Sequence, residues 1–267
     1  NFSQRRFVLL RSDRDYPFDP HDLFSGITVS SRVPMTVTST PTVRTAPFQT
    51  RATGAIHPAN IFVGVVATYD STLEQTLRVR GVPFSTVDSS LLAAGDLNRF
   101  TTILVDLRGF FYRADAAQYH ERLIDYARRG GNVVCFYHKP GDWNGKGYAP
   151  YPITLTSERV TEEDAPVRIL LPEHPLLNRP NRMTEADWAG WVQERNIYLP
   201  SDDTTKTSGA FERLLAMSDT DETQPPTSLL WCHAGKGTYA YVSLALYRQL
   251  RIGHDGAVKL LFNLISQ

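Results

Sequence analysis

The feature that most constrains this chain is a series of short apolar runs that alternate with helix-forming stretches. Ile61-Phe62-Val63-Gly64-Val65-Val66 is apolar throughout, Val82 to Val87 follows, then Ile103-Leu104-Val105-Asp106-Leu107, then Asn132 to Tyr137. Runs without polar alternation suit strands covered on both faces, as in a parallel sheet between helices. Between the first two runs, Asp70-Ser71-Thr72 offers a helix cap, and Leu73, Leu77 and Val79 begin a helix that stops at Gly81. A short helix is expected around Leu91. A longer one, from about Asp115 to Arg129, carries Tyr119, Leu123, Ile124 and Ala127 on one face and is closed by Gly130-Gly131. Strand–helix alternation with short connections predicts right-handed crossovers and a parallel sheet.

The predicted class is therefore α/β: a Rossmann/flavodoxin-like, mostly parallel sheet flanked by helices. Two additions follow from the rest of the chain. Ser228 to Cys232 and Thr238 to Leu244, joined by Gly235-Lys236-Gly237, read as a C-terminal hairpin, and Gly256 to Ile265 reads as a final helix. Residues 1–57, rich in Pro, Thr, Ser and Arg, read as an extended N-terminal segment or the end of an upstream β-rich domain, with the α/β domain over 58–267. The stretch from Pro140 to about Thr227 is less regular and reads as loops and an excursion over the sheet edge.

Charge limits the partners. Lys+Arg and Asp+Glu number 28 each, so the chain has no net field to attract nucleic acid or an anionic membrane. No apolar run approaches the about 18 residues of a membrane span. Cys135 and Cys232 lack metal-binding spacing and sit in apolar runs, which favours buried thiols over a bridge, and His174 and His233 show no ligand spacing. Neither a metal nor a cofactor is expected. Gly235-Lys236-Gly237 lacks the frame and following helix of a phosphate loop.

Ligands of open parallel sheets collect beyond the carboxyl ends of the strands, where loops converge and helix N-termini point inward. The polar residues expected there are Asp70, Asp106, Arg108, His138, Lys139, Asp142, Asn144, Arg248 and Gln249. For each alone, a cap or an ion pair is the simpler role; the set at one edge is what suggests a site. Of Trp143, Trp188, Trp191 and Trp231, Trp143 and Trp191 join it as candidates, because aromatic faces stack on sugar rings, although packing of the excursion onto the sheet is the simpler account of Trp143, Trp188 and Trp191.

One series of segments narrows the comparison: Tyr148 to Ile153 (YAPYPI), Arg159 to Pro166 (RVTEEDAP), Glu173 to Asn181 (EHPLLNRPN), Asp187 to Tyr198 (DWAGWVQERNIY), Ala234 to Tyr239 (AGKGTY) and Tyr247-Arg248-Gln249-Leu250. This series resembles the glutamine-amidotransferase-like domain at the C-terminus of bacterial PIG-L/LmbE-type N-acetylglucosaminyl deacetylase proteins. The resemblance covers about residues 58–267. It implies a deacetylase domain, covalently linked or associated, a carbohydrate ligand, and an extracytoplasmic setting.

Two departures shape the expected function. The deacetylases hold zinc through a His-Pro-Asp-Asp motif, and the nearest match here, His57-Pro58-Ala59-Asn60, has neither carboxylate. Active amidotransferases carry a cysteine on the turn after the Gly-Gly strand, activated by a histidine and a glutamate. Here that turn reads Phe136-Tyr137-His138-Lys139, Cys135 lies within the strand, and Ser243 to Arg248 contains no histidine. The expectation is a non-catalytic accessory domain, binding carbohydrate or mediating assembly, homo-oligomers included. The alternative is a hydrolase with a rebuilt site of His138, Asp142 and Asp106 around Arg108.

Overall fold

The computed structural model describes Phe48, residues 53–223 and residues 225–267. The expected extended segment over 1–57 therefore lies almost wholly outside the described residues. From residue 63 the alternation is as the apolar runs predict: β1 (Val63–Val66), α1 (Thr72–Val79), β2 (Phe84–Thr86), α2 (Ser89–Ala94) and β3 (Thr102–Val105). There follow α3 (Gly109–Tyr112), α4 (Ala114–Gln118), α5 (His120–Arg128) and β4 (Asn132–Phe136). The helix expected over 115–129 is thus divided at Tyr119, whose backbone leaves the helical region (φ −105°).

A single-turn α6 (Pro140–Trp143) opens the irregular middle. Within it lie β5 (Arg159–Val160), β6 (Arg168–Ile169) and β7 (Asn196–Ile197), with 3-10 turns at Pro175–Leu177 and Glu185–Trp188. The chain finishes with β8 (Glu212–Ala216), β9 (Leu229–Ala234), β10 (Gly237–Val242), α7 (Leu246–Arg251) and α8 (Asp255–Leu264). The middle does more than cover an edge. β8 and β6 prolong the main sheet, whose order is β2-β1-β3-β4-β10-β9-β8-β6. Pairing is parallel from β2 through β10 and antiparallel beyond, so the hairpin β9–β10 joins the two halves.

Period-two alternation sends neighbouring residues to opposite faces, and each face has its own core. Val63, Val65, Leu104, Val134, Ala240 and Val242 meet α1, α7 and α8 on one side. Val66, Ile103, Val105, Val133, Cys135, Tyr239 and Tyr241 meet α2 and α5 on the other. The excursion is pinned to the first face: Asn263 accepts the Asn181 N–H at 2.8 Å and donates to its carbonyl at 2.7 Å. No helix among the described residues is long and apolar enough to cross a membrane.

Candidate functional site

The carboxyl ends of β1, β3, β4 and β10 lead into the segments that carry Asp70, Asp106, Arg108, His138 and Arg248. Arg108 organises the centre. Its backbone is left-handed (φ 50°), a conformation that costs a non-glycine residue on the order of 1–2 kcal/mol. It is held from two directions. The Arg108 N–H donates to the Tyr137 carbonyl at 2.9 Å, and the guanidinium grips Asp142 through Nε (2.7 Å) and Nη2 (3.2 Å). Asp142 also accepts the Lys139 N–H, closing the start of α6. The guanidinium then lies against the Phe111 ring, 4.3 Å from its centroid, and donates to the Tyr112 hydroxyl at 3.2 Å.

This placement leaves an aromatic face turned outward. Phe111 is 51% exposed, Tyr69 46% and Tyr112 39%. Tyr112 meets Tyr69 edge-on at 4.7 Å and Phe111 at 5.0 Å. Large apolar rings normally bury themselves, and a contiguous exposed set marks a contact surface. Sequence reasoning missed it, although the signal was there: Gly109-Phe110-Phe111-Tyr112 directly follows a strand end.

A recess at the carboxyl ends of β3 and β4 is lined by Leu73, Asp106, Leu107, Phe136, Tyr137, Leu244, Tyr247 and Leu250. Asp106 is its acid. Oδ1 accepts the Leu107 N–H at 2.8 Å and Oδ2 the Thr68 hydroxyl at 3.0 Å. Burial dominates its titration, and with the nearby Asp70 it outweighs these hydrogen bonds, pushing the carboxyl up to about 8. Asp70 itself caps α1 through Thr72 N–H (2.8 Å) and pairs with Arg251 at 2.5 Å.

His138 and Cys135 lie beneath, not at the surface. Both are fully buried. The sulfur is 3.8 Å from Nδ1 of the imidazole, a proximity that invites thiolate chemistry. Two features oppose it. Burial pushes the Cys135 thiol far above its usual range. The imidazole is committed on both sides: Nδ1 donates to the Phe136 carbonyl (2.9 Å), and Nε2 accepts the Phe110 N–H (3.1 Å). Burial lowers its pKa to about 4, so it is a neutral structural brace under α3. Cys232 is buried and free, its thiol pushed up to about 12.

The remaining candidates serve the scaffold. Trp143 is buried, donates to the Ile153 carbonyl at 2.9 Å and packs on His138 and Tyr241. Asn144 clasps both backbone groups of Leu155 (2.8 and 3.0 Å). Gln249 does the same to Val192 (2.9 and 2.8 Å), and buried Trp191 donates to the Asp187 carbonyl at 3.1 Å. Arg248 is buried at the start of α7, donates to the Tyr247 hydroxyl at 2.8 Å, and pairs with Glu194 at 2.8 Å. His57 bridges the Pro58 and Arg80 carbonyls. No group of three or more His, Cys, Asp or Glu among the described residues could hold a metal ion.

Asp106 and His138 bias folding with pH in opposite senses. His138 falls from 6.5 to about 4 on folding, so the unfolded chain binds that proton more readily and stability rises with pH across this window. Asp106 rises from 3.8 to about 8, so its contribution is full below pH 3.8 and is lost as pH climbs through 8. The two slopes offset each other between about pH 4 and 6.5. From there to pH 8 Asp106 acts alone, a loss of about 2 kcal/mol. Urea titrations at pH 6.5 and 8 are expected to show this decline in the wild type and not in Asp106→Asn. An equal decline in both would assign it to another group.

No family model and no curated protein matches the chain. Solved structures share its fold. A cytoplasmic protein from Salmonella typhimurium is similar with a TM-score of 0.51 at 12% identity, over 77% of this chain and 97% of that one. PurLQS from Thermotoga maritima is similar with a TM-score of 0.50 at 13% identity, over 78% of this chain and 98% of that one. At such identities the likeness speaks for the fold alone.

Proposed function

We propose that this chain is a non-catalytic ligand-binding domain that takes a neutral carbohydrate at the carboxyl edge of its sheet, as an accessory to a PIG-L/LmbE-type sugar deacetylase. The observation that carries the reading is the exposed, mutually packed Tyr69–Tyr112–Phe111 face, fixed by the Arg108–Asp142 pair. Aromatic faces of this kind present rigid apolar area beside polar groups, which suits the C–H faces and hydroxyls of a sugar ring. The electrostatics favour a neutral ligand. Arg108, Arg113, Arg248 and Arg251 are paired with Asp142, Asp115, Glu194 and Asp70. An anion would have to compete with carboxylates already in place. The deacetylase association rests on the sequence resemblance.

The hydrolase alternative has less support. Both nitrogens of His138 are engaged below the surface, and Asp142 is held by Arg108.

Calorimetry against a panel of neutral oligosaccharides tests the reading. Binding is expected, weakened at least tenfold by the double substitution Phe111→Ala/Tyr112→Ala, a loss in keeping with about 1–3 kcal/mol of ring stacking. Near-ultraviolet circular dichroism of the variant should retain the signal of the buried tryptophans. No heat with any member of the panel would defeat the carbohydrate reading. Concentration-dependent mass by light scattering, abolished by the same substitution, would instead assign the face to assembly.

A further inference from the structure

We propose that the loop between α6 and β5 carries a second, separate binding site, a cleft over residues 143–154 that takes one or two units of a neutral sugar against the Tyr151 ring. The ligand class rests on the carbohydrate reading above. The place is independent of it, since the cleft shares no lining residue with the Tyr69–Tyr112–Phe111 face or with the recess at Asp106.

The sequence closes this loop on itself. Trp143 Nε1 donates to the Ile153 carbonyl at 2.9 Å, and Asn144 clasps both backbone groups of Leu155, so the two ends meet. A compact loop with joined ends is an Ω-loop, a form that frequently carries function. Its path between the ends is fixed as well. Asn144 (φ −61°, ψ 131°) and Gly145 (φ 75°) form a type II turn, closed by the Lys146 N–H on the Trp143 carbonyl at 3.1 Å. Such a turn requires a left-handed third residue, which glycine supplies without strain. Further along, the Tyr148 ring stacks on Phe110 with centroids 4.2 Å apart, and its carbonyl accepts the Tyr239 hydroxyl at 3.1 Å.

The anchored loop encloses a cleft of about 410 Å³, within the range of about 300–1,000 Å³ usual for small-molecule sites. Trp143, Tyr148, Pro150, Tyr151, Pro152 and Ile153 supply its apolar wall. Tyr151 is 37% exposed and meets the buried Phe211 edge-to-face at 6.0 Å, so the ring is braced by a neighbour while part of it faces solvent. Polar capacity comes from the backbone. The N–H groups of Gly147, Tyr148, Ala149 and Tyr151 donate to no protein acceptor among the described residues. At Gly145 and Gly147 a Cβ would meet nothing within 4 Å, so the main chain is bare there.

These walls select the ligand. No charged side chain lines the cleft, and Lys146, between the two glycines, is outside the lining. A phosphate or carboxylate would thus find no cation to pair with. An aromatic ring beside unclaimed amide donors matches the C–H face and the hydroxyls of a sugar. Because the loop is already anchored at its neck and at Tyr148, little conformational freedom is left to lose on binding.

Titration of the whole chain with cellobiose, maltose and lactose, followed by amide shifts in nitrogen–proton correlation spectra, tests the site. At least one of the three sugars is expected to shift the Gly145, Gly147 and Tyr148 amides along a saturating curve. Tyr151→Ala should weaken that curve at least tenfold and leave any response of the Phe111 and Tyr112 amides unchanged. Phe111→Ala/Tyr112→Ala should leave the curve at Gly145 and Gly147 in place. The spectra themselves report whether each variant is folded. A response at Phe111 and Tyr112 with none at Gly145 and Gly147 would overturn the cleft and spare the carbohydrate reading of the aromatic face. A response at the cleft alone would support the cleft and defeat that reading of the face, and no response anywhere defeats both. Shifts at Gly145 and Gly147 that survive Tyr151→Ala undiminished, or that decaproline produces and no sugar does, would also overturn the proposal.

Discussion

Replacing Glu194 by Ala is expected to cost about 3–5 kcal/mol of stability, read as a fall in the urea midpoint at constant slope. Glu194 lies in the segment between β5 and β7, with its side chain 5% exposed, and it receives two guanidinium groups. Arg159 binds Oε2 through both Nε and Nη2, and Arg248 approaches Oε1 at 2.8 Å. Arg248 is as buried as its partner, its side chain 6% exposed. Forming such a cluster contributes little net stability, since desolvation of the charges offsets their attraction. Removing the carboxylate that both guanidinium groups hold is another matter, because the buried Arg248 loses that partner in a poorly solvated place, while Arg159, 29% exposed, keeps contact with water. Glu194→Gln keeps shape and hydrogen-bonding capacity and should lose roughly half as much, which separates charge from packing. A Glu194→Ala loss below about 1 kcal/mol, the range of an exposed pair, would show that water reaches the cluster.

Gly256→Ala is the second large effect, and here two rules point in opposite directions. Gly256 sits in the first turn of α8, where helix propensity alone favours alanine by roughly 1 kcal/mol. Packing forbids it. A Cβ at this position would lie 2.0 Å from the Asp187 carbonyl oxygen and 2.7 Å from its carbonyl carbon, so the obstacle is backbone and cannot rotate away. Overpacking of this kind costs about 1–3 kcal/mol, and a backbone obstacle places it at the upper end, well above the gain in propensity. The net expectation is a loss of about 2 kcal/mol in chemical denaturation. The segment forced outward is the 3-10 turn Glu185–Trp188, so the Lys259–Asp187 pair (2.7 Å) should loosen with it. A variant as stable as the wild type would show that the turn can shift freely over α8.

The parallel half of the sheet was legible because its strands need apolar residues on both faces, a pattern that β1 displays throughout and β4 from Val133 onward. The antiparallel extension was not. β6 is two residues long and β8 begins with Glu212 and Arg213, neither of them fully buried, so neither has the uniform apolar run that revealed the others. The break at Tyr119 escaped for a related reason: the apolar spacing continues across it, and the interruption is in the backbone alone. For the candidate site, position was readable and role was not. Asp70, Asp106, Arg108 and Arg248 do lie at the carboxyl edge, because strand order sets where each run ends. Whether a polar side chain faces solvent or clasps a backbone depends on partners far along the chain, as with Asn144 on Leu155 and Gln249 on Val192. Trp143 and Trp191 were drawn toward a ligand by their chemistry and inward by packing, while among the described residues Tyr69, Phe111, Tyr112 and Tyr151 are rings that remain outside.

The brace formed by His138 has a historical implication. A thiol and an imidazole stand side by side under this sheet edge, so the raw materials of nucleophilic chemistry are present in the molecule. The imidazole, however, has become masonry: it carries the Phe110 amide on one nitrogen and rests on the Phe136 carbonyl with the other. Recruiting this pair for turnover would first require another support for α3 above it. The barrier to such a conversion is architectural, and it would be felt as misfolding before any gain in reactivity could be selected.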